Sequence, residues 1–156
     1  MKKILIALDY GPNAHQIADQ GYRLATSMNA DPVLLHVMVE TSYYSTYEYS
    51  PITGFNNFNT TDILMPDTLE EIQKGVSVFL EQTKQALGGG ENIQTLIKEG
   101  EPAAAIIDAA HDLQADVIVL GSHSRRGLDK ILMGSVTGQV LRHSNIPLYV
   151  IPSARR

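Results

Sequence analysis

Residues 115–151, ADVIVLGSHSRRGLDKILMGSVTGQVLRHSNIPLYVI, decide the predicted fold. An apolar, β-branched run over 117–120 has the length of a buried strand and stops at Gly121. A polar, basic loop follows, Gly134-Ser135 opens a segment with helical apolar spacing, and a last apolar strand covers 148–151. In an open parallel sheet, ligands bind beyond the carboxyl ends of the strands, and a helix N-terminus offers unpaired N–H groups to an anion. The stretch therefore predicts a site for a phosphate group.

The rest of the chain alternates strand and helix patterns in the same way. Apolar strand patterns lie at 3–8, 32–39 and 93–98, and helix patterns with apolar residues at i, i+3 and i+4 lie at 14–28, 69–87 and 102–113. Strict alternation predicts an α/β fold, an open doubly wound parallel sheet with helices on both faces. A chain of 156 residues fits one domain, which we expect to span 1–156.

Residues 40–66 form an irregular insertion in this alternation. Six of the ten aromatic residues lie there, namely Tyr43, Tyr44, Tyr47, Tyr49, Phe55 and Phe58. A loop of this length inside a compact domain is usually functional or disordered. Three interpretations stay open: a lid over the ligand crevice, an aromatic surface for a partner, or a mobile excursion that does neither.

Composition excludes several classes of function. The chain has no cysteine, which excludes disulfides, thiolate metal sites and a cysteine nucleophile. Residues 1–121 carry six basic and sixteen acidic side chains, whereas residues 122–156 carry six basic ones and one acid. The net charge of -5 argues against general nucleic-acid binding, and local positive charge beside the loop suits a small polyphosphate.

With no cleavable leader and no membrane-length apolar run, we expect a cytoplasmic protein without a membrane partner.

The motifs of several enzyme classes are missing. The chain contains no G-x-x-x-x-G-K-[ST] phosphate loop, no G-x-G-x-x-G after the first strand and no G-x-S-x-G elbow. Its five histidines show no metal-ligand spacing, and no carboxylate pair is placed for acid–base work. We therefore predict no catalytic residue and no protein metal site, and at most slow ATP hydrolysis or autophosphorylation.

A spaced glycine motif remains, Gly121-x-x-Ser124 followed after nine residues by Gly134-Ser135. Together with the opening strand that ends in Asp9, the strand 34–37 (LLHV) and Gly100-Glu101-Pro102 before a helix, it makes the chain similar to the universal stress protein family over nearly its whole length. Nucleotide-binding members of that family carry Gly-x-x-Gly, nine residues, then Gly-Ser or Gly-Thr. Ser124 departs from this pattern, because serine restricts a backbone that glycine leaves free, although it adds a hydroxyl donor.

The resemblance implies a Rossmann-like sheet of strand order 3-2-1-4-5 and ATP as the ligand, alone or with Mg or Mn on its phosphates. Ala7, Leu8 and Asp9 would form one wall of the adenine pocket, and the Val37 backbone amide and carbonyl would read the base edge. The residues flanking the ribose and phosphates would be Leu120, Gly121, His123 and Ser124. N–H and hydroxyl donors for the phosphates would come from Gly134, Ser135, Val136 and Thr137. Alternatives stay open for Asp9, as a cap of the first helix, and for His123, as a surface residue; His36 is interpreted as a satisfied strand residue.

The resemblance also implies a regulatory protein of the stress response and a homodimer. Similar proteins dimerise by joining the last strand, here Leu148, Tyr149, Val150 and Ile151, to its twofold mate, and an apolar edge strand without charges favours such pairing. The alternative is a dimeric interaction module that binds no nucleotide and uses the aromatic insertion to hold a partner.

Overall fold

Strands and helices alternate along the whole of the described chain. The computed structural model describes residues 1–39, 69–122 and 135–152, so the insertion predicted at 40–66 lies outside the described residues. The strands are β1 (Lys3–Ala7), β2 (Asp31–Met38), β3 (Gln94–Glu99), β4 (Val117–Gly121) and β5 (Leu148–Ile151). The helices are α1 (Ala14–Ser27), α2 (Leu69–Ala86), α3 (Pro102–Leu113) and α4 (Ser135–His143). One helix therefore follows each of the first four strands.

The five strands form one parallel sheet of order β3-β2-β1-β4-β5, which confirms the predicted fold class. Strand β1 lies at the centre, between β2 and β4. Its residues Ile4, Leu5 and Ile6 are completely buried, because helices cover both faces of the sheet. This double cover is why the central strands are mostly apolar along their length instead of alternating between apolar and polar residues.

Side chains of β1 divide between two cores. Ile4, Ile6 and Leu8 pack into a cluster with residues of α1 and α2, whereas Leu5 and Ala7 pack into a second cluster with residues of α3 and α4. The first pair of helices thus covers one face and the second pair covers the other. The chain reverses its direction across the sheet between β1 and β4, and such a switch point opens a crevice at the carboxyl ends of the two strands.

Helix α1 lies very close to the sheet at Gly21. A Cβ atom added there would lie 2.8 Å from two side-chain carbons of Ile6, which is closer than real Cβ contacts. The absence of a side chain at Gly21 therefore sets the distance between the helix and the central strand.

A carboxylate caps the start of α3, a left-handed turn ends the helix, and the residue before β4 ties that strand to β1. The Glu101 carboxylate accepts hydrogen bonds from Ala103 N–H at 3.2 Å and Ala104 N–H at 2.8 Å, which caps the start of the helix. At the other end Gln114 turns the chain in the left-handed conformation, with φ of 54°. Asp116 then accepts a hydrogen bond from the Lys3 backbone N–H at 2.8 Å, which ties the start of β4 to the start of β1.

Candidate functional site

The candidate site begins at the carboxyl edge of three neighbouring strands. Ala7 of β1 pairs with Leu35 of β2, and Ile6 pairs with Val119 of β4. Neighbouring strands in a sheet lie roughly 4.8 Å apart. Four of the predicted contact residues are therefore brought together where these strands end, namely Ala7, Leu8, Leu120 and Gly121.

Strand β1 leaves the sheet at Leu8 and turns at once. The Leu8 N–H donates to the Leu35 carbonyl at 2.8 Å, which is the last backbone bond between the ends of β1 and β2. Asp9 is half-buried, and its Oδ1 accepts a hydrogen bond from Gly11 N–H at 2.9 Å. The N-cap position of α1 is occupied by Asn13, four residues after Asp9. One Asp9 oxygen thus closes the turn that follows β1.

Val37 presents its backbone and its side chain in different directions. The residue as a whole is 8% exposed, and its side chain packs in the core beneath α3 and α4. Its N–H points toward β1, because Leu35, two residues earlier in the same strand, bonds to Leu8 on that side. The regular ladder would continue with a bond from Val37 N–H to the Leu8 carbonyl, and this bond is absent among the hydrogen bonds between described residues. The Val37 N–H therefore faces the crevice at the switch point.

Helix α4 is fixed to the end of β4 by one side chain. The Thr137 hydroxyl donates to the Gly121 carbonyl at 2.7 Å, and the threonine is only 4% exposed. Val136 packs against the core beneath α3 and α4. Since the single hydroxyl hydrogen of Thr137 is used in this bond, its backbone N–H is the group that it can offer to an anion. The start of α4 is thus held directly beside the carboxyl end of β4.

The helix N-terminus supplies the electrostatics of this edge. An α-helix leaves its first four N–H groups without intrahelical partners, and the aligned peptide dipoles place about half a positive charge there. Helix α4 begins at Ser135, and its basic side chains, Arg142 and His143, lie in its last turn. The end of α4 that lies beside Gly121 is therefore the end that attracts an anion.

Three predicted contact residues lie outside the described residues: His123, Ser124 and Gly134. The basic residues between them, Arg125, Arg126 and Lys130, lie there too. Ser135 is described as the first residue of α4. The site as described consists of the strand ends and the start of this helix.

A buried aromatic cluster supports the crevice from the face covered by α1 and α2. His36 is 3% exposed, and its Nδ1 lies 2.7 Å from the Leu8 carbonyl oxygen. The Tyr10 ring stacks on the imidazole with centroids 4.8 Å apart, and Phe79 of α2 meets the Tyr10 ring edge-on at 4.6 Å. Burial lowers the pKa of His36 to about 4, against the opposing effect of the hydrogen bond to Leu8. The imidazole is therefore neutral at physiological pH.

The sequence indicates a satisfied strand residue at His36, and in the structure His36 is buried and hydrogen-bonded. What the sequence did not reveal is its partner, a carbonyl in the wall of the predicted site. The only signal in the sequence is the position itself, since a histidine interrupts an otherwise apolar strand.

Neither a metal-binding cluster nor a membrane-spanning helix is found in the described part of the chain. No three histidine, aspartate or glutamate side chains come together there in a group that could hold a metal ion. Among the helices of residues 1–39, 69–122 and 135–152, none combines the length and apolar character of a membrane span.

Comparison with known proteins places this architecture in one family. The model of the universal stress protein family matches residues 1–152. Universal stress protein MJ0577 of Methanocaldococcus jannaschii is 30% identical over 153 residues, which cover 96% of this chain and 94% of that protein. Its solved structure matches with a TM-score of 0.73 at 27% identity, over 99% of this chain and 98% of that one.

Two more distant structures share the fold and were solved with ligands. A universal stress protein in complex with cAMP matches with a TM-score of 0.66 at 18% identity, over 98% of both chains. The universal stress protein from Archaeoglobus fulgidus in complex with dAMP matches with a TM-score of 0.64 at 17% identity, over 97% of this chain and 98% of that one. At these identities the likeness is one of fold.

Proposed function

Because the chain belongs to the universal stress protein family, we propose that it binds ATP at the carboxyl edge of β1, β2 and β4 and acts as a regulatory protein of the stress response. The base would lie between the ends of β1 and β2, within reach of the Val37 N–H. The phosphates would lie at the start of α4. The protein would act through binding and release of the nucleotide more than through turnover.

The observation that supports this proposal best is the junction of β4 and α4. The Thr137 hydroxyl bond to Gly121 holds a helix N-terminus against a strand end at the switch point of the sheet. This is the place in an open α/β sheet where a phosphate finds both a crevice and unpaired N–H donors. The related folds solved with cAMP and dAMP support an adenine nucleotide as the ligand class.

Calorimetric titration of ATP, ADP and AMP, with and without Mg²⁺, tests the proposal. We expect micromolar binding that weakens as phosphates are removed, because each phosphate lost removes charge from the field of the α4 N-terminus. Titrations without heat, matched by an absence of thermal stabilisation at millimolar ATP, would refute nucleotide binding.

A pair of threonine substitutions ties the binding to this junction. Thr137→Val removes the hydroxyl that anchors α4, so we expect ATP affinity to fall by about 3- to 10-fold, the worth of one net hydrogen bond. Thr83→Val is the matched control, since Thr83 is also buried and donates its hydroxyl to a backbone carbonyl, that of Phe79 at 2.8 Å, but lies on α2. Equal losses of affinity in both variants would contradict the assignment of the phosphates to α4.

We also propose that the protein is a homodimer joined through β5. Among the described strands β5 has a neighbour on one side only, and its sequence LYVI has no charge to discourage edge pairing. Tyr149 is 41% exposed and lines a groove with Gln16 and Gln20 of α1. Such an edge is completed when a second copy adds its own strand.

Sedimentation at micromolar concentration tests the dimer. Tyr149→Asp places a charge at the proposed interface and should shift the population toward monomer. Val78→Asp is the control, because Val78 is 37% exposed on α2, which packs on β2 and β3 and not on the β5 edge. A wild-type protein that sediments as a monomer would overturn this reading.

A further inference from the structure

The end of the β1–β2 ladder departs from regular sheet geometry at one carbonyl. In a regular parallel ladder the Leu8 carbonyl would accept from Val37 N–H, two residues beyond the Leu35 carbonyl that Leu8 N–H already reaches. The Leu8 carbonyl instead lies 2.7 Å from His36 Nδ1. A side chain on β2 thus takes the place of the backbone N–H of the next residue.

The chemistry of this contact fixes the tautomer of His36. A carbonyl oxygen only accepts hydrogen bonds, so Nδ1 must carry the hydrogen and donate it. Burial lowers the pKa of His36 to about 4, so the ring is the neutral Nδ1–H tautomer under physiological conditions. Stacking against Tyr10, with an interplanar angle of 29°, and the edge contact with Phe79 hold the ring in the plane that this bond requires.

We propose that His36 is a positioning residue of the nucleotide site: its imidazole Nδ1–H binds the Leu8 carbonyl outside the geometry of the ladder and thereby keeps the Val37 N–H available for the base of the bound nucleotide. This inference rests on the proposed function. The adenine ring offers an acceptor, N1, to such a donor. In hypoxanthine the same nitrogen carries a hydrogen and is unable to accept. The Val37 N–H that His36 keeps available would therefore favour adenine over hypoxanthine.

If the imidazole donor is removed, we expect the Val37 N–H to form a hydrogen bond with the Leu8 carbonyl. A buried carbonyl without a partner costs more than the net worth of a hydrogen bond, so the nearest donor is drawn to it. That donor is the Val37 N–H, which regular ladder geometry aims at the Leu8 carbonyl. The sheet would then be more regular, and the base would have lost its donor.

Two substitutions separate the donor from the ring. His36→Phe keeps an aromatic ring against Tyr10 and Phe79 but has no donor. His36→Asn loses the ring, and its amide nitrogen stands the same number of bonds from the backbone as Nδ1 and can donate to the Leu8 carbonyl. The donor hypothesis predicts that Asn resembles the wild type, whereas a packing role predicts that Phe does.

Amide hydrogen exchange in the protein without nucleotide tests the positioning directly. We expect the Val37 amide to exchange faster than that of Leu35, which lies inside the ladder, in both the wild type and His36→Asn. In His36→Phe the Val37 amide should become protected by at least about 10-fold relative to its own wild-type rate, as an amide that has gained a hydrogen bond does. Equal protection of Val37 in the wild type and His36→Phe would overturn the proposal.

Titration of ATP and ITP tests the consequence for the ligand. The wild type and His36→Asn should bind ATP more tightly than ITP. His36→Phe should bind ATP about 3- to 10-fold more weakly than the wild type does, and its ratio of ATP affinity to ITP affinity should be closer to one. A general loosening of the site would weaken both nucleotides equally and leave the preference unchanged, which would refute the role assigned to Val37. If the wild type binds neither nucleotide, the proposed function fails, and the exchange measurement still decides whether His36 frees the Val37 amide.

Discussion

Acid should destabilise this protein through His36 well before its carboxylates are all protonated. In the folded state burial lowers the pKa of His36 to about 4, whereas the unfolded chain has the ordinary value of 6.5. Because the folded pKa lies below the unfolded one, the unfolded state binds the proton more readily between these values. The contribution of His36 to stability is complete above pH 6.5 and is lost as the pH falls through the folded pKa.

The size of this loss follows from the two pKa values. Each pKa unit corresponds to about 1.4 kcal/mol, so a difference of about 2.5 units corresponds to about 3 kcal/mol in full. At about pH 5 the loss should already be about 2 kcal/mol, since the unfolded histidine is by then almost wholly protonated and the folded one is not. For a domain of ordinary stability this is a large fraction of the total.

Denaturant unfolding between about pH 8 and pH 5 measures the effect, with His36→Phe and His36→Asn as references. Neither replacement titrates, and the carboxylates are common to all three proteins, so the difference in unfolding free energy isolates His36. We expect the wild type to lose about 2 kcal/mol relative to each variant over this range. Wild-type and variant curves that stay parallel would show that the folded pKa of His36 is near its ordinary value and that the burial argument is wrong.

Two further predictions concern the ends of α3. Glu101→Ala removes the carboxylate that accepts from Ala103 and Ala104 N–H and should lower the unfolding free energy by about 1 kcal/mol, whereas Glu99→Ala, on an exposed strand end, should stay within about 0.5 kcal/mol of the wild type. Gln114→Gly relieves a left-handed backbone with φ of 54° and should raise the thermal midpoint, corresponding to about 0.5–1 kcal/mol, whereas Gln73→Gly, an exposed glutamine inside α2, should lower stability by about 1 kcal/mol.

The elements and their order were predictable because each is specified by its own residues. The run LYVI after Pro147 predicts β5 at 148–151, and the strand has these bounds. Pro102, which directly follows Glu101, predicts the start of α3, and the helix begins at Pro102. Apolar spacing in α1 identifies the face that packs on the sheet, including Gly21 and Ala25. Local signals of this kind need no knowledge of the partner element.

The details of the candidate site were less predictable because they depend on partners distant in sequence. The predicted first strand includes Leu8, but β1 ends at Ala7, since the Leu8 carbonyl is bound by a histidine 28 residues further along the chain. The family resemblance implies that the Thr137 hydroxyl is a phosphate donor, whereas in the structure it donates to the Gly121 carbonyl, 16 residues earlier. No periodicity in the sequence specifies which carbonyl a hydroxyl or an imidazole will reach.

The two effects assigned to His36 can be separated because they respond differently to pH. Folding stability should fall between pH 6.5 and about 4, where the folded and unfolded states differ in protonation. Nucleotide affinity is a property of the folded state alone, in which His36 stays neutral until the pH approaches about 4. The ratio of ATP affinities of the wild type and His36→Phe should therefore be constant from about pH 8 to pH 5, since the titration of the nucleotide cancels in the ratio. A ratio that falls together with the stability of the wild type would mean that His36 supports nucleotide binding through the stability of the fold and not through the Val37 donor.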